Sequence, residues 1–410
     1  MKVWIINPFD NLPLEGFRPQ RYWLMASAFA DAGHDVTLFT SDFNHTTKKR
    51  RSFLEKHSSS LEKCRSSLEG GAPRPTTEYG IRLELVPTRP YSRNVSFARI
   101  RSHRAFIKSL RSALQLQLHT STPSLIIVSL PLIGTASVAF ELKEKYGTKV
   151  VVDIQDDWPG TFYRLFPRIM RPFAKLAFAP LRRAAERAYR NADLVTGVAD
   201  RYAELALSAG AKRYLRFYLG IKVENSATPH STLHAPRSIL YLGNLGRTYD
   251  LRTAIEAVAL DPQLTLDIAG KGEQEESLKE FANKKGVADR VRFHGYLDEE
   301  KLSELASHCA FGLIPMSEDS CVGLPNKIAD YARYGLFILS SLRGESAALL
   351  EKYHCGALYT HGDPRSLVEK SKSKVEVEQW NSTSSDFDAL LSELDATRIY
   401  RAYVAEVEKL

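Results

Sequence analysis

The 410-residue chain lacks long hydrophobic runs, and no stretch approaches the ~20 consecutive apolar residues that a membrane-spanning helix needs. We therefore expect no transmembrane segment. The apolar run that begins at Val3 is too short for the core of a signal peptide, so no secretory leader is expected either. The sequence also shows no repeat of solenoid type, which excludes that class of architecture.

Cysteine is scarce, and the chain has no close pair with the spacing of metal ligands: Cys64, Cys309, Cys321 and Cys355. This usage predicts reduced thiols in a cytoplasmic protein. Four histidines likewise lack the paired spacing of a zinc site: His34, His45, His103 and His294. We expect His294 to support the turn before Gly295. Neither a metal ion nor a cofactor is implied by these residues.

Short apolar runs alternate with amphipathic segments in the second half of the chain. The strand-like runs are Leu264–Ala269, Val291–His294, Phe311–Met316 and Leu336–Ser340. The helix-like segments between them are Gln274–Lys285, Asp298–Ser307 and Asn326–Tyr334, and Asp298 is a suitable N-cap. This order predicts an α/β fold with a parallel sheet covered by helices.

Two turns should share the ligand-binding edge of that sheet, because ligands bind beyond the carboxyl ends of parallel strands. They are Gly270-Lys271-Gly272 and Pro315–Lys327. The two glycines would let the backbone approach a ligand. Pro325 and Asn326 before Lys327 predict a helix start with free N–H groups and a cation, which suits a diphosphate. One turn further, Asp330 could accept hydrogen bonds from ribose hydroxyls. The alternative is a plain tight turn, a solvated lysine and a surface acid.

Four segments together resemble the nucleotide-binding half of GT-B glycosyltransferases, and specifically glycosyltransferase family 4: 241–246 (YLGNLG), 269–272 (AGKG), 293–296 (FHGY) and 324–331 (LPNKIADY). The last contains a Pro-Asn-Lys-x-x-acidic-Tyr signature of the branch that builds cell-surface polysaccharides. The resemblance implies two Rossmann-like, doubly wound domains that face a cleft. It also implies that the donor nucleotide contacts these residues: Gly243, Gly246, Gly270, Lys271, Gly272, Tyr296, Pro325, Asn326 and Asp330.

The chain departs from the family pattern at two places. The family usually has two glutamates separated by seven residues, and placing the second at Asp330 puts Val322 at the first. Glu318 or Asp319 could replace that glutamate on the sugar side. The usual Arg…Lys pair is reduced to Arg247, and Lys327 could supply the missing charge. Together with the backbone N–H groups near Pro325 and Asn326, Arg247 and Lys327 would stabilise the departing diphosphate.

The first half reads as the matching domain. A strand at Lys2–Asn7 leads through a loop to a helix at Pro19–Ala32. In that loop, Gly16 stands where the family has a Gly-Gly pair, and it could contact the acceptor or the sugar. Arg18 lies nearby; a turn glycine and a surface arginine are the alternative.

Asp156 and Asp157 follow a strand at Val150–Ile154, so the sheet should place them at its carboxyl edge. They are candidates for orienting or deprotonating an acceptor hydroxyl. A helix N-cap is the alternative role for such an acid.

The length predicts two domains, residues 1–221 and 237–385, joined by a linker at 222–236 that contains Pro229 and Pro236. By resemblance to GT-B folds, the final helix-like segment 386–410 could cross back to the first domain. Residues 43–75 read as an acceptor-side insertion, with a serine-rich stretch at 58–67.

The net charge of +8 is unevenly divided. Residues 1–220 hold 34 basic and 19 acidic residues, a net charge of +15, whereas residues 221–410 hold 22 and 29, a net charge of −7. Much of the positive charge lies in 89–111 and in 162–190, where large apolar side chains alternate with arginines. Segment 162–190 has the pattern of a helix on an anionic membrane surface. A helix that buries its apolar side in its own domain would have the same pattern.

We interpret the sequence as a retaining glycosyltransferase that moves a hexosyl or N-acetylhexosaminyl group from a nucleoside diphosphate sugar, with uridine as the expected nucleoside, to a lipid-linked saccharide. Capsule or O-antigen assembly at the inner face of the cytoplasmic membrane is the expected setting, and retention rests on the family alone. The alternatives are a non-catalytic subunit that binds a sugar nucleotide or a membrane, and a UDP-sugar 2-epimerase. Nucleic-acid binding has no motif to support it.

Overall fold

The computed structural model describes residues 1–51, 80–93, 96–119, 121–157, 159–160, 163, 166–222, 237–316, 320, 322–375 and 384–410. The chain divides into two compact units. The first comprises Met1–Leu219 and Thr397–Leu410, and the second comprises Gly220–Ala396. Each unit is built on a parallel sheet with helices, so the predicted α/β fold class is confirmed.

Within the described residues, the sheet of the first unit has seven strands in the order β5-β2-β1-β6-β7-β8-β9. The strands are β1 Lys2–Ile6, β2 Asp35–Ser41, β5 Ile81–Val86, β6 Leu125–Leu130, β7 Lys149–Ile154, β8 Leu194–Gly197 and β9 Tyr214–Arg216; β3 Phe43–Asn44 and β4 Lys49–Arg50 form a separate hairpin. The helices are α1 Arg21–Asp31, α2 Phe97–Leu118, α3 Ile133–Tyr146, α4 Arg171–Ala177, α5 Ala179–Asn191 and α6 Arg201–Ser208.

The described part of the second unit has six parallel strands in the order β12-β11-β10-β13-β14-β15. They are β10 Ser238–Leu242, β11 Thr265–Ala269, β12 Val291–Gly295, β13 Phe311–Ile314, β14 Phe337–Ser340 and β15 Gly356–Leu358. The helices are α7 Leu251–Leu260, α8 Glu275–Lys284, α9 Glu299–Ser307, α10 Lys327–Arg333, α11 Glu345–Lys352, α12 Pro364–Val375 and α13 Ser384–Glu393. A last helix, α14 Ala396–Val407, lies almost wholly in the part of the chain that belongs to the first unit.

The central strands of both sheets are buried on both faces, which explains why they read as continuous apolar runs. In β1, the side chains from Val3 to Ile6 are fully buried, and those of β10 from Ile239 to Tyr241 are too. The predicted strands and helices of the second half are confirmed to within about two residues. Asp298 caps α9 as predicted, because its carboxylate accepts a hydrogen bond from the backbone N–H of Lys301 at 3.0 Å.

The predicted C-terminal helix 386–410 is wrong as a single element. It is two helices, α13 and α14, interrupted where Asp395 bridges to Ile221. The backbone N–H of Ile221 donates to Leu394 and that of Ala396 donates to Ile221, so this pairing replaces helical hydrogen bonds. Only Thr397–Leu410 groups with the first unit, whereas α13 packs on α10 in the second.

His294 is a second correction. Its Nε2 atom lies 2.7 Å from Oδ1 of the buried Asp267, so it belongs to a polar cluster on β11 rather than to the turn before Gly295. Burial alone would raise the pKa of Asp267, but hydrogen bonds from Arg292 and His294 outweigh it and lower that pKa. The predicted linker from residue 223 onward and the predicted insertion from residue 52 onward lie outside the described residues. None of the described helices is long and apolar enough to cross a membrane.

Candidate functional site

Two glycine-rich loops interlock at the carboxyl edge of the sheet in the second unit. The loop after β10 donates the backbone N–H of Gly243 to Ala269 at 2.9 Å and that of Leu245 to Lys271 at 3.0 Å. A Cβ on Gly270 would lie 1.8 Å from the carbonyl oxygen of Gly243, and one on Gly272 would lie 2.6 Å from the backbone of Leu245. These glycines therefore let the two loops pack together, a role that the sequence alone did not distinguish from ligand contact.

Lys327 points its ammonium group at this pair of loops. Its Nζ atom would lie 3.1 Å from a Cβ built on Gly243, and it sits 4.0 Å from the ring centroid of Tyr249 and 5.3 Å from that of Tyr241. Within the described part of the chain, no carboxylate forms an ion pair with it. Lys327 is thus a half-buried cation over two aromatic rings, and the alternative of a solvated surface charge is wrong.

Tyr331 of the Pro-Asn-Lys-x-x-Asp-Tyr segment positions this lysine. Its fully buried hydroxyl donates to the carbonyl oxygen of Leu313 at 2.8 Å and accepts from the N–H of Leu242 at 3.0 Å. It thereby ties the ends of β10 and β13 to α10. A Cβ on Gly312 would lie 2.3 Å from the Tyr331 ring, so β13 needs a glycine there. Burial raises the pKa of Tyr331 far above its ordinary value, and the hydroxyl stays protonated.

The other predicted donor-side residues surround the same edge. Pro325 is buried, Asn326 is exposed at the start of α10 without a side-chain capping bond, and Asp330 is half-buried on the helix. Because α10 is only seven residues long, its dipole adds little and the charge of Lys327 is the larger effect.

The remaining predicted residues at this edge are more exposed to solvent. Arg247 is 84% exposed and its Nε atom lies 3.3 Å from Glu273 Oε1, so it is not fixed at the loop pair. Gly246 and Lys271 lie in the two interlocked loops, while Tyr296 is 84% exposed after Gly295. Val322 is half-buried, and Glu318 and Asp319 lie outside the described residues.

The first unit places Asp156 and Asp157 directly after β7, as predicted. Desolvation by the surrounding protein raises the pKa of the Asp156 carboxyl, and the charge of Asp157 raises it further, although the residue keeps part of its surface exposed. The carboxylate oxygens of Asp157 would lie 2.4 Å from a Cβ on Gly160. The Asp157 carboxylate thus occupies the space that a side chain at position 160 would need.

Gly16 ends a short 3-10 helix, Pro13–Glu15, with a φ of 79°. Nothing lies within 4 Å of a Cβ built there, so the turn conformation alone explains this glycine. Gly16 and Arg18 are both exposed on the loop that follows β1.

A narrow aromatic pocket, which the sequence did not predict, lies at the carboxyl edge of the first sheet. Phe9 packs edge-on against both His45 and His103 at 5.5 Å between ring centroids. His45 contacts the hydroxyl of Tyr91, and Arg99 donates to His103 Nε2 at 3.3 Å. Burial and the neighbouring cations lower the pKa of both histidines to about 4, so both are neutral near pH 7. The charge of the same Arg99 acts on the Asp156 carboxyl and partly offsets the rise in its pKa, so the pocket lies near Asp156.

A buried charge pair holds this edge together. Arg21 Nε and Nη2 each donate to Asp153 at 2.8 Å, and Nη1 donates to the carbonyl oxygen of Phe217 at 2.8 Å. Asp153 also accepts from Tyr22 at 2.7 Å and Thr196 at 2.6 Å. A signal for this pair was present in the sequence, since an aspartate inside a run of valines and an arginine at the start of an apolar helix both interrupt the expected pattern.

Asp10 caps α1 from a distance in the chain, because its Oδ2 accepts from the N–H groups of Tyr22 at 3.0 Å and Trp23 at 3.2 Å. Burial raises the pKa of Asp10 to about 7, although these bonds and nearby arginines oppose the shift. The cap fixes the loop after β1 against the helix, so Phe9 is held in place beside the pocket.

The basic, aromatic segment exposes its apolar residues. Ile169 is 84% exposed, Phe173 74% and Leu176 75%, and Met170 and Phe166 add to the same surface. Spacings of three to four residues place them along one side of the helical chain. The alternative in which this segment buries its apolar side in its own domain is therefore wrong for these residues. Residues 161–162 and 164–165 lie outside the described part of the chain.

Comparison with protein families gives two matches that together span most of the chain. Residues 20–219 match the family described as glycosyl transferase 4-like domain. Residues 224–383 match the family described as glycosyl transferases group 1.

Individual proteins give weaker likenesses. The lipopolysaccharide core biosynthesis glycosyltransferase LpsE of Rhizobium meliloti is 30% identical over 122 residues, which cover 28% of this chain. The match spans about a third of that relative's length, 35%. The sucrose-phosphate synthase of Thermosynechococcus elongatus has a TM-score of 0.72 at 13% identity, covering 100% of this chain and 98% of that one. HepE of Anabaena, solved in complex with UDP, has a TM-score of 0.68 at 15% identity and covers 100% of both chains. The structural likenesses show a shared fold.

Proposed function

Because the chain belongs to the GT-B glycosyltransferases of the family 4-like type, we propose that it transfers a sugar from a nucleoside diphosphate donor, a UDP-sugar, to a lipid-linked saccharide. The observation that carries this proposal is the half-buried ammonium group of Lys327 over the interlocked Gly243 and Gly270 loops. The site offers a fixed positive charge beside open backbone, which is what a diphosphate requires.

The chemical task is to stabilise negative charge on the diphosphate as the bond to the sugar breaks. Lys327 is held by packing on Tyr249 and by the Tyr331 anchor, so it needs little reorganisation when that charge develops. Arg247, whose side chain is exposed at the same edge, approaches the diphosphate once it is bound. Asp330 holds the ribose, and Pro325 and Asn326 line the approach to the diphosphate. We propose that the anomeric configuration is retained, on the basis of the resemblance to family 4.

The acceptor is a lipid-linked saccharide of polysaccharide or lipopolysaccharide assembly, and the enzyme works on the cytoplasmic face of the membrane. Support for UDP comes from HepE, solved with UDP and also with UDP-glucose. Support for lipopolysaccharide comes from the name of the Rhizobium relative. The exposed apolar side chains of α4, with basic residues beside them, suit an anionic membrane surface. Asp156, beside the aromatic pocket, meets the acceptor hydroxyl.

The test is turnover of a panel of UDP-sugars, measured as UDP release and as isomerisation of the sugar, with and without a membrane lipid extract. Transfer predicts UDP release that depends strongly on the extract. A 2-epimerase would convert the donor without any extract, and a binding subunit would bind UDP without turnover. Asp156→Asn should lower the extract-dependent rate, whereas Asp200→Asn, an exposed acid elsewhere in the first unit, should not.

A further inference from the structure

A second, larger pocket of the first unit lies between α4, α5 and α6, beside Asp157. Its volume is about 290 Å³. Three cations line it, Arg171, Lys175 and Arg182, against two carboxylates, Asp157 and Glu186. Glu186 only partly neutralises Arg182, since the two lie 3.8 Å apart. The pocket therefore carries an excess of positive charge.

Two phenol hydroxyls in the same pocket are buried and make no hydrogen bond within the described part of the chain. They belong to Tyr163 and Tyr189. Tyr189 is 1% exposed and lies on helix α5. A buried hydroxyl without a partner costs about 1–3 kcal/mol, so a native protein rarely keeps two of them in one place without a use. Burial raises the pKa of Tyr189, which keeps its hydroxyl protonated and able to donate.

The pocket adjoins the exposed apolar surface of α4. Lys175 lines the pocket, while its helix neighbours Phe173 and Leu176 are 74% and 75% exposed, and Ile169 precedes the same helix. A cationic pocket with neutral donors thus lies next to a row of apolar side chains. That combination matches an amphiphile with an anionic head and a hydrocarbon chain.

We propose that this pocket binds the phosphate group of the lipid-linked acceptor, with the hydrocarbon chain of the lipid along Ile169, Phe173 and Leu176. Arg182 and Lys175 provide the charge, and the hydroxyls of Tyr189 and Tyr163 donate to the phosphate oxygens. This inference rests on the proposed function, because it names the part of the acceptor that anchors it. The saccharide end would then extend past Asp157, which also lines the pocket.

A sugar ring is the competing occupant, since tyrosines and carboxylates also bind saccharides. The excess of cations and the adjoining apolar side chains favour a phosphate attached to a hydrocarbon chain.

The test measures binding of farnesyl phosphate to the full chain, with farnesol and inorganic phosphate as probes that each lack one half of the ligand. We expect farnesyl phosphate to bind more tightly than either probe. Tyr189→Phe should weaken it about ten-fold or more, because a hydrogen bond to a charged group is lost. The same variant should unfold at an equal or higher temperature, since the unpartnered hydroxyl is removed. A purely structural role for Tyr189 would instead leave binding unchanged.

Arg182→Gln should also weaken farnesyl phosphate about ten-fold, whereas Arg183→Gln, the exposed neighbour outside the pocket, should not. Equal affinity of the wild type, Tyr189→Phe and Arg182→Gln for farnesyl phosphate would overturn the proposal. So would binding of a free saccharide to the wild type if both variants abolish that binding. The affinity for UDP, measured on the same samples, distinguishes failure of the phosphate-pocket proposal from failure of the proposed function. If the wild type binds UDP but not farnesyl phosphate, only the phosphate pocket is rejected. If the wild type binds neither UDP nor farnesyl phosphate, the proposed function is rejected as well.

Discussion

At the scale of single residues, glycine in the second unit serves loop packing. Gly270→Ala should destabilise the protein by more than about 2 kcal/mol, because its Cβ would meet the carbonyl oxygen of Gly243 at 1.8 Å. Gly286→Ala is the matched control, since Gly286 also has a positive φ but nothing lies within 4 Å of its Cβ. Only backbone strain of about 1 kcal/mol is expected there. Chemical denaturation measures both, and equal costs would contradict the packing role.

The lowered pKa of His103 predicts that the stability of the protein depends on pH. Its folded pKa of about 4 lies below the ordinary 6.5, because burial and then Arg99 and His45 disfavour the charged form. The unfolded chain therefore takes up a proton that the folded chain does not. This contribution to stability is present above pH 6.5 and is lost as the pH falls toward 4.

His103→Gln should remove about 1–2 kcal/mol of the stability difference between pH 7.5 and pH 5, as measured by urea denaturation of both proteins. Burial raises the pKa of Asp10 to about 7, so Asp10 increases stability as the pH falls, opposite to His103. Both proteins contain Asp10, and comparison of the variant with the wild type therefore cancels its effect. Identical pH profiles for variant and wild type would mean that His103 is charged in the folded protein.

Sequence reasoning predicted a cation at the start of α10, where the structure places Lys327 beside the glycine loops, but not the residues that hold it. Lys327 was recognisable because it follows Pro325 and Asn326 after a strand. The ring of Tyr249 and the hydroxyl of Tyr331 could not be placed, because their contacts join positions up to 89 residues apart. The same is true of the Arg21–Asp153 pair, whose partners are 132 residues apart.

At the scale of elements, the buried pair joins α1 to β7 and to the chain at Phe217. Asp153→Asn should destabilise the protein by about 3–5 kcal/mol, because it leaves Arg21 charged and uncompensated in the interior. Glu141→Gln removes the exposed Arg111–Glu141 pair and should change stability by less than about 1 kcal/mol. Calorimetric unfolding distinguishes them. If Asp153→Asn destabilises the protein as little as the control does, the Arg21–Asp153 pair adds little to the stability of the fold.

The elements themselves were largely predictable, since apolar runs and helical periodicity depend on local sequence. The failures were non-local. The break between α13 and α14 arises from pairing with Ile221, far earlier in the chain. The cap of α1 comes from Asp10 rather than from a residue next to the helix, which no capping pattern could reveal.

At the scale of the whole molecule, positive charge and exposed apolar area coincide in the first unit. The variant Phe173→Ser, Leu176→Ser should reduce binding to vesicles that contain anionic lipid by about ten-fold or more, since two large apolar side chains leave the membrane. Vesicle co-sedimentation measures this. Leu207→Ser, which changes a leucine on α6 that is 51% exposed, should bind like the wild type. Undiminished binding of the double variant would place the membrane contact elsewhere.

The central claim is that the carboxyl edge of the second unit binds the diphosphate of the donor through Lys327. The most direct measurement is the dissociation constant of UDP by titration calorimetry for the wild type, Lys327→Ala and the exposed control Lys284→Ala. We predict that UDP binds the wild type and the control alike and binds Lys327→Ala about 10–100-fold more weakly. Equal UDP affinity in all three proteins, or no UDP binding by any of them, would contradict the account.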